Sequence, residues 1–226
     1  MYKLGILGGM GPEATALFLS RVIAHTKADT DEEHIPCIVL NNTLIPDRTA
    51  ALLGVGESPV EALQADVDTL AALGVEVIAT PCNTAHAFLS ELVFPEHVTF
   101  VNMVEETLRA AGTERPLCVL GTPGLNRVGV YESAADGHRF IPLTKEEQTA
   151  AMDAITLVKA SRHAEAKERL FFAAESVFSR EKDVLFLLSC TELSVLREAF
   201  EAKFDALDAL EVLAVETVSA CDYPTL

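Results

Sequence analysis

Short apolar runs alternate with amphipathic stretches along the chain, and this alternation predicts an α/β protein. Runs of strand length, rich in leucine and β-branched residues, occur at residues 3–7, 35–41, 100–104, 117–121 and 138–143, and directly before Cys82 and Cys190. Because strands that alternate with helices pair in parallel, we expect parallel sheets covered by helices.

Helical periodicity fills the stretches between these runs. Leu63, Val67 and Leu70 recur on one side of residues 60–73, and Gly74 is the expected stop. The other predicted helices cover residues 12–25, 85–92, 145–161, 164–180, 192–202 and 205–218, and one that ends near Gly112. Glycine and small residues predict a loop after Arg48, at 50–59.

A polar connector at residues 112–116 divides the chain into two halves with the same order of elements. Leu4, in the first predicted strand, lies 78 positions before Cys82, and Leu117, which begins the corresponding strand of the second half, lies 73 positions before Cys190. This repeat predicts two similar Rossmann-like α/β domains related by pseudo-twofold symmetry, with the active site in the cleft between them. The predicted domains are residues 1–114 and 115–204, with a last helix at about 205–222 that packs back on the first.

Composition and charge argue against several classes of protein. The 226 residues carry a formal charge of −17, and a chain without a basic run cannot neutralise nucleic acid phosphates. No apolar stretch is long enough to span a membrane, and the glycine-broken start does not resemble a signal peptide. The five cysteines form no CxxC pair, which argues against a disulfide framework or a metal site. We therefore expect a cytoplasmic protein with a small-molecule partner and without nucleic acid or membrane partners.

Two cysteines occupy the same kind of place, directly after an apolar run and before a predicted helix. Cys82 lies in VEVIATPCNTAHAF, with Asn83 and Thr84 as candidate caps, and Cys190 lies in VLFLLSCTELSVL, with Thr191 as candidate cap. The amides and positive end of a helix lower the pKa of a nearby thiol. This position therefore predicts two reactive thiols.

Burial is the alternative interpretation of a free cysteine, which packs as a small apolar side chain. We favour it for Cys37, Cys118 and Cys221, which lack this shared setting. His86 follows Cys82 by four positions and fits a role in proton transfer and a packed position equally well.

A cleft with one thiol on each side fits an isomerisation at a carbon acid that uses two bases. A thiolate removes a proton from the α-carbon of the substrate, and a thiol donates a proton to the opposite face. Negative charge then develops on the neighbouring carboxylate. Helix-start amides stabilise such charge, and here they lie near Asn83, Thr84, Thr191 and Glu192.

The first half offers two further candidate features at predicted strand ends. A strand, glycine turn and helix at residues 3–25 is either an anion cradle or a tight turn that needs glycine, and it matches no nucleotide-binding motif. Arg48 follows the end of the second strand, where ligands bind in parallel sheets.

Taken in order, these motifs resemble the aspartate/glutamate racemase family, and in particular its cofactor-independent aspartate racemases. The matching segments are LGILGGMGPEAT at 4–15, NNTLIPDR at 41–48, TPCNTAH at 80–86, LGT at 120–122, GVY at 129–131 and CTEL at 190–193. They extend over essentially the whole chain. The resemblance implies racemisation of aspartate without pyridoxal phosphate or metal, by a homodimer.

The resemblance also implies roles for single residues. Cys82 and Cys190 match the catalytic pair, and Arg48 matches the arginine that binds a side-chain carboxylate. Lys159 looks like the basic residue that the second half supplies. Residues in motifs that bind the substrate or shape its pocket are Met10, Asn83, Thr84, Thr122, Thr191 and Glu192.

Two departures from the family pattern leave other functions open. Ser189 stands where glycine usually precedes the second cysteine, and the segment 123–130 contains Arg127 where small residues are common. The alternatives are a racemase of glutamate or of other amino acids, or an isomerase that acts on maleate with two cysteines. A protein that binds an amino acid without turning it over is a further alternative.

Overall fold

The computed structural model describes residues 2–226, which form two parallel sheets covered by helices. The first sheet has the order β2-β1-β3-β4, with β1 (Leu4–Gly8), β2 (Cys37–Asn41), β3 (Val77–Ala79) and β4 (Thr99–Val101). The second has the order β5-β6-β7, with β5 (Leu117–Leu120), β6 (Leu185–Leu188) and β7 (Ala206–Asp208). Neighbouring strands are parallel in both sheets. The predicted fold class of two Rossmann-like α/β halves is confirmed.

Ten α-helices surround these sheets in the described part of the chain. They are α1 (Pro12–His25), α2 (Arg48–Leu52), α3 (Val60–Ala72), α4 (Met103–Ala111), α5 (Pro123–Val128), α6 (Val130–Ala134), α7 (Lys145–Lys159), α8 (His163–Arg180), α9 (Arg197–Glu201) and α10 (Ala209–Ala220). Three 3₁₀ helices cover Asp31–Glu33, Asn83–Glu91 and Thr191–Leu196. We call the second of these the Cys82 segment and the third the Cys190 segment. None of the helices within residues 2–226 is both long and apolar enough to cross a membrane.

The apolar stripe predicted from sequence is the buried face of α3. Leu63, Val67 and Leu70 are almost completely buried and pack with Ile78 of β3. Truncating one such leucine to alanine costs about 2–5 kcal/mol of stability, because the cavity closes only partly. The core on this side of the first sheet also contains Cys82, so packing holds the end of β3 in place.

The chain passes between the two halves twice. It first leaves α4 and enters β5 through residues 112–116. It returns where β7 ends at Asp208 and α10 begins at Ala209, because α10 packs with β1, β3 and α1 of the first half. The two halves are therefore joined by two covalent connections.

Outside the segments that follow the two cysteines, three predicted elements differ in type in the structure. The expected strand at 138–143 is a single bridge from Phe140 to Leu117, since Pro142 has no amide hydrogen to extend the ladder. The expected loop at 50–59 begins with the last residues of α2, whose start is capped by the carboxylate of Asp47. The expected helix at 205–218 starts with strand β7 instead.

Asp208 explains where that strand stops. Its carboxylate accepts the amide hydrogen of Leu210 at 3.0 Å and so caps α10. The preceding residues pair in parallel with β6, and Asp208 lies opposite Leu188. An apolar stretch of this kind has no periodicity that distinguishes a buried strand from a buried helix.

Candidate active site

Cys82 lies where β3 leads into the Cys82 segment, and it is 4% exposed. Its carbonyl accepts hydrogen bonds from the amide of Ala85 at 3.1 Å and from Nδ1 of His86 at 2.9 Å. The α-helix predicted here is a 3₁₀ helix that begins at Asn83, because the Cys82 carbonyl bonds to the third amide after it. Neither Asn83 nor Thr84 is the cap, and the hydroxyl of Thr84 lies 3.8 Å from Sγ of Cys82.

Cys190 has the equivalent place in the second half. It follows β6, is 8% exposed, and its carbonyl accepts the amide hydrogen of Leu193 at 2.8 Å. Thr191 is buried but does not cap the helix, whose N-terminal position is Cys190 itself. The helix predicted at 192–202 is divided into the Cys190 segment and α9.

The Cys190 thiol donates a hydrogen bond to Oε2 of Glu192 at 2.9 Å. Burial raises the pKa of this thiol well above its ordinary value, and the carboxylate of Glu192 raises it further. The prediction that a helix start would lower the pKa is therefore wrong for Cys190. A short 3₁₀ helix has a weak dipole, and burial beside an anion outweighs it.

Lys159 lies at the end of α7 and reaches the same carboxylate. Its Nζ is 3.3 Å from Oε1 of Glu192, whose side chain is 10% exposed against 59% for the lysine. Burial lowers the pKa of Lys159, but the negative charges of Glu192 and ionised Cys190 raise it, and the balance lies above its ordinary value. Arg48 opposes this increase, which brings a second cation into the same region.

Arg48 is the first residue of α2, at the carboxyl end of the first sheet. Its guanidinium donates to the carbonyls of Ile45 (3.2 Å), Pro46 (3.0 Å) and Met10 (3.3 Å), while its Nε is buried without a partner. Within residues 2–226 no carboxylate lies within ion-pair distance of it. Neutral backbone groups therefore hold the guanidinium in place, and no neighbouring carboxylate among the described residues balances its positive charge.

The glycine turn after β1 brings the first half against the Cys190 segment. Gly9 has φ of +93°, and a Cβ there would lie 2.3 Å from the backbone of Asn42, so only glycine fits. Met10 is 5% exposed and packs in the same cluster as Cys82. A Cβ on Gly11 would lie 3.6 Å from Oε1 of Glu192. The turn therefore touches the surroundings of both cysteines.

Two side-chain hydrogen bonds join residues that precede the connector at 112–116 to residues that follow it. Thr49 of α2 donates to Thr122, which caps α5, with 3.3 Å between the hydroxyl oxygens. Tyr131 of α6 donates to Oδ1 of Asn83 at 2.6 Å, and both side chains are buried. Nδ2 of Asn83 is buried without a partner. The resemblance included Tyr131 in a motif, but its contact with Asn83 needed the fold.

His86 is fully engaged with the backbone. Its Nε2 accepts the amide hydrogen of Met103 at 3.0 Å, so the ring proton lies on Nδ1 and is donated to the carbonyl of Cys82. Burial lowers the pKa of His86 to about 4. Of the two interpretations left open by the sequence, the structure supports the packed position.

The two residues that depart from the family pattern differ in burial. Ser189 is buried, and its hydroxyl lies close to that of Tyr131. Arg127 is exposed on α5. Only Ser189 is therefore positioned to alter the packing beside Cys190.

The remaining three cysteines are also free thiols. Cys118 is fully buried in β5, where burial raises its pKa to about 12. Cys37 is partly buried in β2, and Cys221 is buried against the first sheet. Within residues 2–226 no group of three His, Cys, Asp or Glu side chains is arranged to hold a metal ion.

Comparisons with known proteins agree with this arrangement. The model of the Asp/Glu/Hydantoin racemase family matches residues 7–220. The chain is 26% identical over 224 residues to the broad specificity amino-acid racemase RacX of Bacillus subtilis (strain 168), with 96% of each protein covered.

Solved structures show the same fold. The aspartate racemase of Picrophilus torridus matches with a TM-score of 0.88 and 28% identity, over 99% of this chain and 96% of that one. The glutamate racemase of Francisella tularensis subsp. tularensis, solved in complex with D-glutamate, matches with a TM-score of 0.69 and 11% identity, over 96% of this chain and 80% of that one. At that identity the second match supports the fold alone.

Proposed function

The chain belongs to the Asp/Glu/Hydantoin racemase family and is an isomerase, and on that basis we propose that it interconverts L- and D-aspartate with the thiols of Cys82 and Cys190. The observation that carries the proposal is the equivalent placement of the two thiols. Cys82 follows β3, which lies between β1 and β4, and Cys190 follows β6, which lies between β5 and β7. Each cysteine is the capping residue of a 3₁₀ helix. The likeness to an aspartate racemase at 28% identity supports the choice of substrate.

In the proposed reaction one thiolate removes the α-proton of aspartate, and the other thiol gives its own proton to the opposite face of the carbanion. The product is the mirror image of the substrate, and the two thiols have exchanged protonation states. The reverse reaction uses them in the opposite order.

The contact between Cys190 and Glu192 supports a starting state in which Cys190 carries a proton. The thiol hydrogen is held by the carboxylate at 2.9 Å, so Cys190 begins as the proton donor. Lys159 favours the ionised form of Cys190 once the proton has left. Glu192 and Lys159 thus act in opposite directions on the same sulfur, which allows it to serve as donor and acceptor.

Charge on the substrate is met by groups from both halves. The side-chain carboxylate of aspartate pairs with Arg48, whose positive charge is not compensated by any carboxylate of the described chain. The developing charge on the α-carboxylate is stabilised by the unpartnered Nδ2 of Asn83 and by the amides of the two 3₁₀ helix starts. Thr84, Thr122, Thr191 and Met10 complete the proposed pocket.

A broader amino acid racemase is the second candidate, and one contact favours it. Lys159 is already paired with Glu192, so one of the two cations is neutralised before any substrate binds. A site with a single free cation discriminates less strongly in favour of an acidic side chain.

Exchange of the α-proton in D₂O tests the proposal. Purified protein is incubated with L-aspartate without added cofactor, and the α-proton signal and the enantiomer ratio are followed together. We expect loss of the signal and growth of D-aspartate, and inactivity of Cys82→Ser and Cys190→Ser. Cys37→Ser is the matched control and should retain activity.

Each of the other possible results of this experiment contradicts one part of the proposed function. Substantial racemisation by either site variant contradicts the two-thiol mechanism. No exchange with aspartate but exchange with neutral amino acids favours the broader racemase. Turnover of maleate alone indicates a different isomerase, and binding of aspartate without exchange indicates a binding protein.

A further inference from the structure

The side chain four positions after each cysteine bonds to the point where the neighbouring strand of its own sheet leads into the following helix. His86 occupies this position in the Cys82 segment, and Ser194 occupies it in the Cys190 segment. Both are buried. Sequence comparison of the halves does not reveal the match, because histidine and serine are chemically unlike.

In the first half the crossing runs through an imidazole. Nδ1 of His86 donates to the carbonyl of Cys82, and Nε2 accepts the amide hydrogen of Met103. Met103 is the first residue of α4, directly after β4 and the capping residue Asn102. One side chain thus bonds to the backbone of the thiol-bearing residue and to the start of α4.

In the second half the crossing runs through a hydroxyl and a carboxylate. Ser194 donates to Oδ1 of Asp208 at 2.7 Å, and the same oxygen accepts the amide hydrogen of Leu210. Asp208 ends β7 and caps α10 as Asn102 caps α4. The two helices that receive these contacts, α4 and α10, pack against each other.

We propose that His86 and Ser194 are positioning residues, each of which fixes the segment of one thiol against the α4–α10 pair. The proposal builds on the two-thiol racemase proposed above. A buried polar side chain also needs a hydrogen-bond partner for its own sake. That need alone does not explain why both contacts begin four residues after a cysteine and end at the start of a helix that follows a strand. Each contact therefore governs the thiol of its own half.

A mirror-image pair of variants tests this assignment. His86→Ala removes the first contact, and Ser194→Ala removes the second. His86→Asn keeps a donor near the position of Nδ1, so it is the rescue variant. Thr217→Val removes a buried hydroxyl that has no hydrogen-bond partner, so it is the control for loss of a buried polar group.

The first measurement does not require activity. The rate of alkylation of each thiol by iodoacetamide is followed against pH, with the modified peptides quantified by mass spectrometry and the denatured chain as the reference. His86→Ala removes two hydrogen bonds, of which one reaches the Cys82 carbonyl. We expect it to change the rate at Cys82 by about three- to tenfold, the range for loss of that one buried hydrogen bond, and to leave Cys190 unchanged. Ser194→Ala should do the reverse, and His86→Asn should restore the wild-type profile at Cys82.

The second measurement uses the reaction itself. The deuterium isotope effect on kcat/KM is determined for each enantiomer labelled at the α-carbon. Misplacing one thiol makes its own proton abstraction more rate-limiting, so the isotope effect rises for one enantiomer in His86→Ala and for the other in Ser194→Ala. Thr217→Val should change neither.

The outcomes separate the two proposals. Equal changes at both thiols in either variant, or no change at either thiol in a folded variant, overturn the positioning roles. If the wild-type protein does not exchange the α-proton of any amino acid, the proposed function fails. The alkylation profiles still decide the positioning roles in that case.

Discussion

Sγ of Cys190 lies 2.9 Å from Oε2 of Glu192, and both side chains are buried. A thiol that donates to an anion is held in its protonated form, since ionisation would place two negative charges side by side. Nζ of Lys159 lies 3.3 Å from the other oxygen of this carboxylate, Oε1. The protonation state of Cys190 therefore depends on Glu192, which it contacts directly, and on Lys159, which contacts Glu192.

Replacing Glu192 by glutamine should lower the pKa of Cys190. Glutamine retains an acceptor for the thiol but removes the negative charge that raises this pKa. The pH dependence of thiolate absorbance, measured in a variant that lacks the other cysteines, reports the change. Glu198→Gln, on the exposed side of α9, is the control. A Cys190 titration that is unchanged in Glu192→Gln contradicts the electrostatic role.

Replacing Arg48 by lysine should reduce kcat/KM for aspartate by about 10- to 100-fold. Lysine keeps the charge but loses the fork that pairs with a carboxylate, and a hydrogen bond to a charged group contributes roughly 1.5–3 kcal/mol. The loss with alanine as substrate should be smaller. Arg127→Lys, at an exposed position, should leave both values unchanged. Equal losses for the two substrates would show that Arg48 does not bind the side-chain carboxylate.

Buried His86 should make the protein less stable in acid. Its pKa is about 4 in the folded protein against 6.5 ordinarily, so its contribution is complete above pH 6.5 and is lost as the pH falls towards 4. Between these pH values the unfolded chain binds the proton and the folded protein does not, which lowers the free energy of unfolding by about 3 kcal/mol. Urea unfolding at pH 7 and pH 4 should show a smaller acid loss for His86→Asn. His97→Asn, at an exposed site, should behave as wild type.

Asp208 should have the opposite dependence. Burial raises the pKa of Asp208 from 3.8 to about 6. The hydrogen bonds from Ser194 and Leu210 and the charge of Arg197 lower this pKa, but by less than burial raises it, and the charge of Glu211 raises it further. The contribution of Asp208 is present below pH 3.8 and is lost as the pH rises through 6. Asp208→Asn avoids this loss.

The variant should therefore be more stable than wild type by about 1–3 kcal/mol at pH 7, and by less at pH 4. Unfolding curves at both pH values measure the difference. Asp136→Asn, at an exposed site, supplies the baseline. An equal gain at both pH values would indicate a packing effect unrelated to ionisation.

Removing the hydroxyl of Tyr131 should weaken the junction between the halves. Tyr131→Phe leaves Oδ1 of Asn83 buried without its 2.6 Å partner, at a cost of about 1–3 kcal/mol. We expect a lower free energy of unfolding and a higher KM. Tyr223→Phe is the matched control. A variant as stable as wild type would mean that the nearby hydroxyl of Ser189 or Thr107 takes over.

The sequence predicted the strands before both cysteines because each is a compact apolar run with helix-start residues after it. It also predicted the two halves, since the spacing from first strand to cysteine is nearly the same in each. These features depend on local pattern alone. Arg48 and Lys159 were linked to the site only through the family resemblance, because a lone charged residue has no local signature of its neighbours.

Other features depend on contacts that only the fold creates. The pKa of Cys190 is raised because burial and Glu192 act together, which a helix-start position does not reveal. The partners of His86 and Ser194, Met103 and Asp208, are distant in sequence and lie on other elements. The same contacts disclose the equivalence of His86 and Ser194.

The two covalent connections between the halves limit how far the halves can separate. They lie at residues 112–116 and at the junction of Asp208 and Ala209. The hydroxyl of Ser194 bonds to the carboxylate of Asp208 at the second connection. The Cys190 segment is therefore anchored directly to one of the two points at which the chain passes from one half to the other.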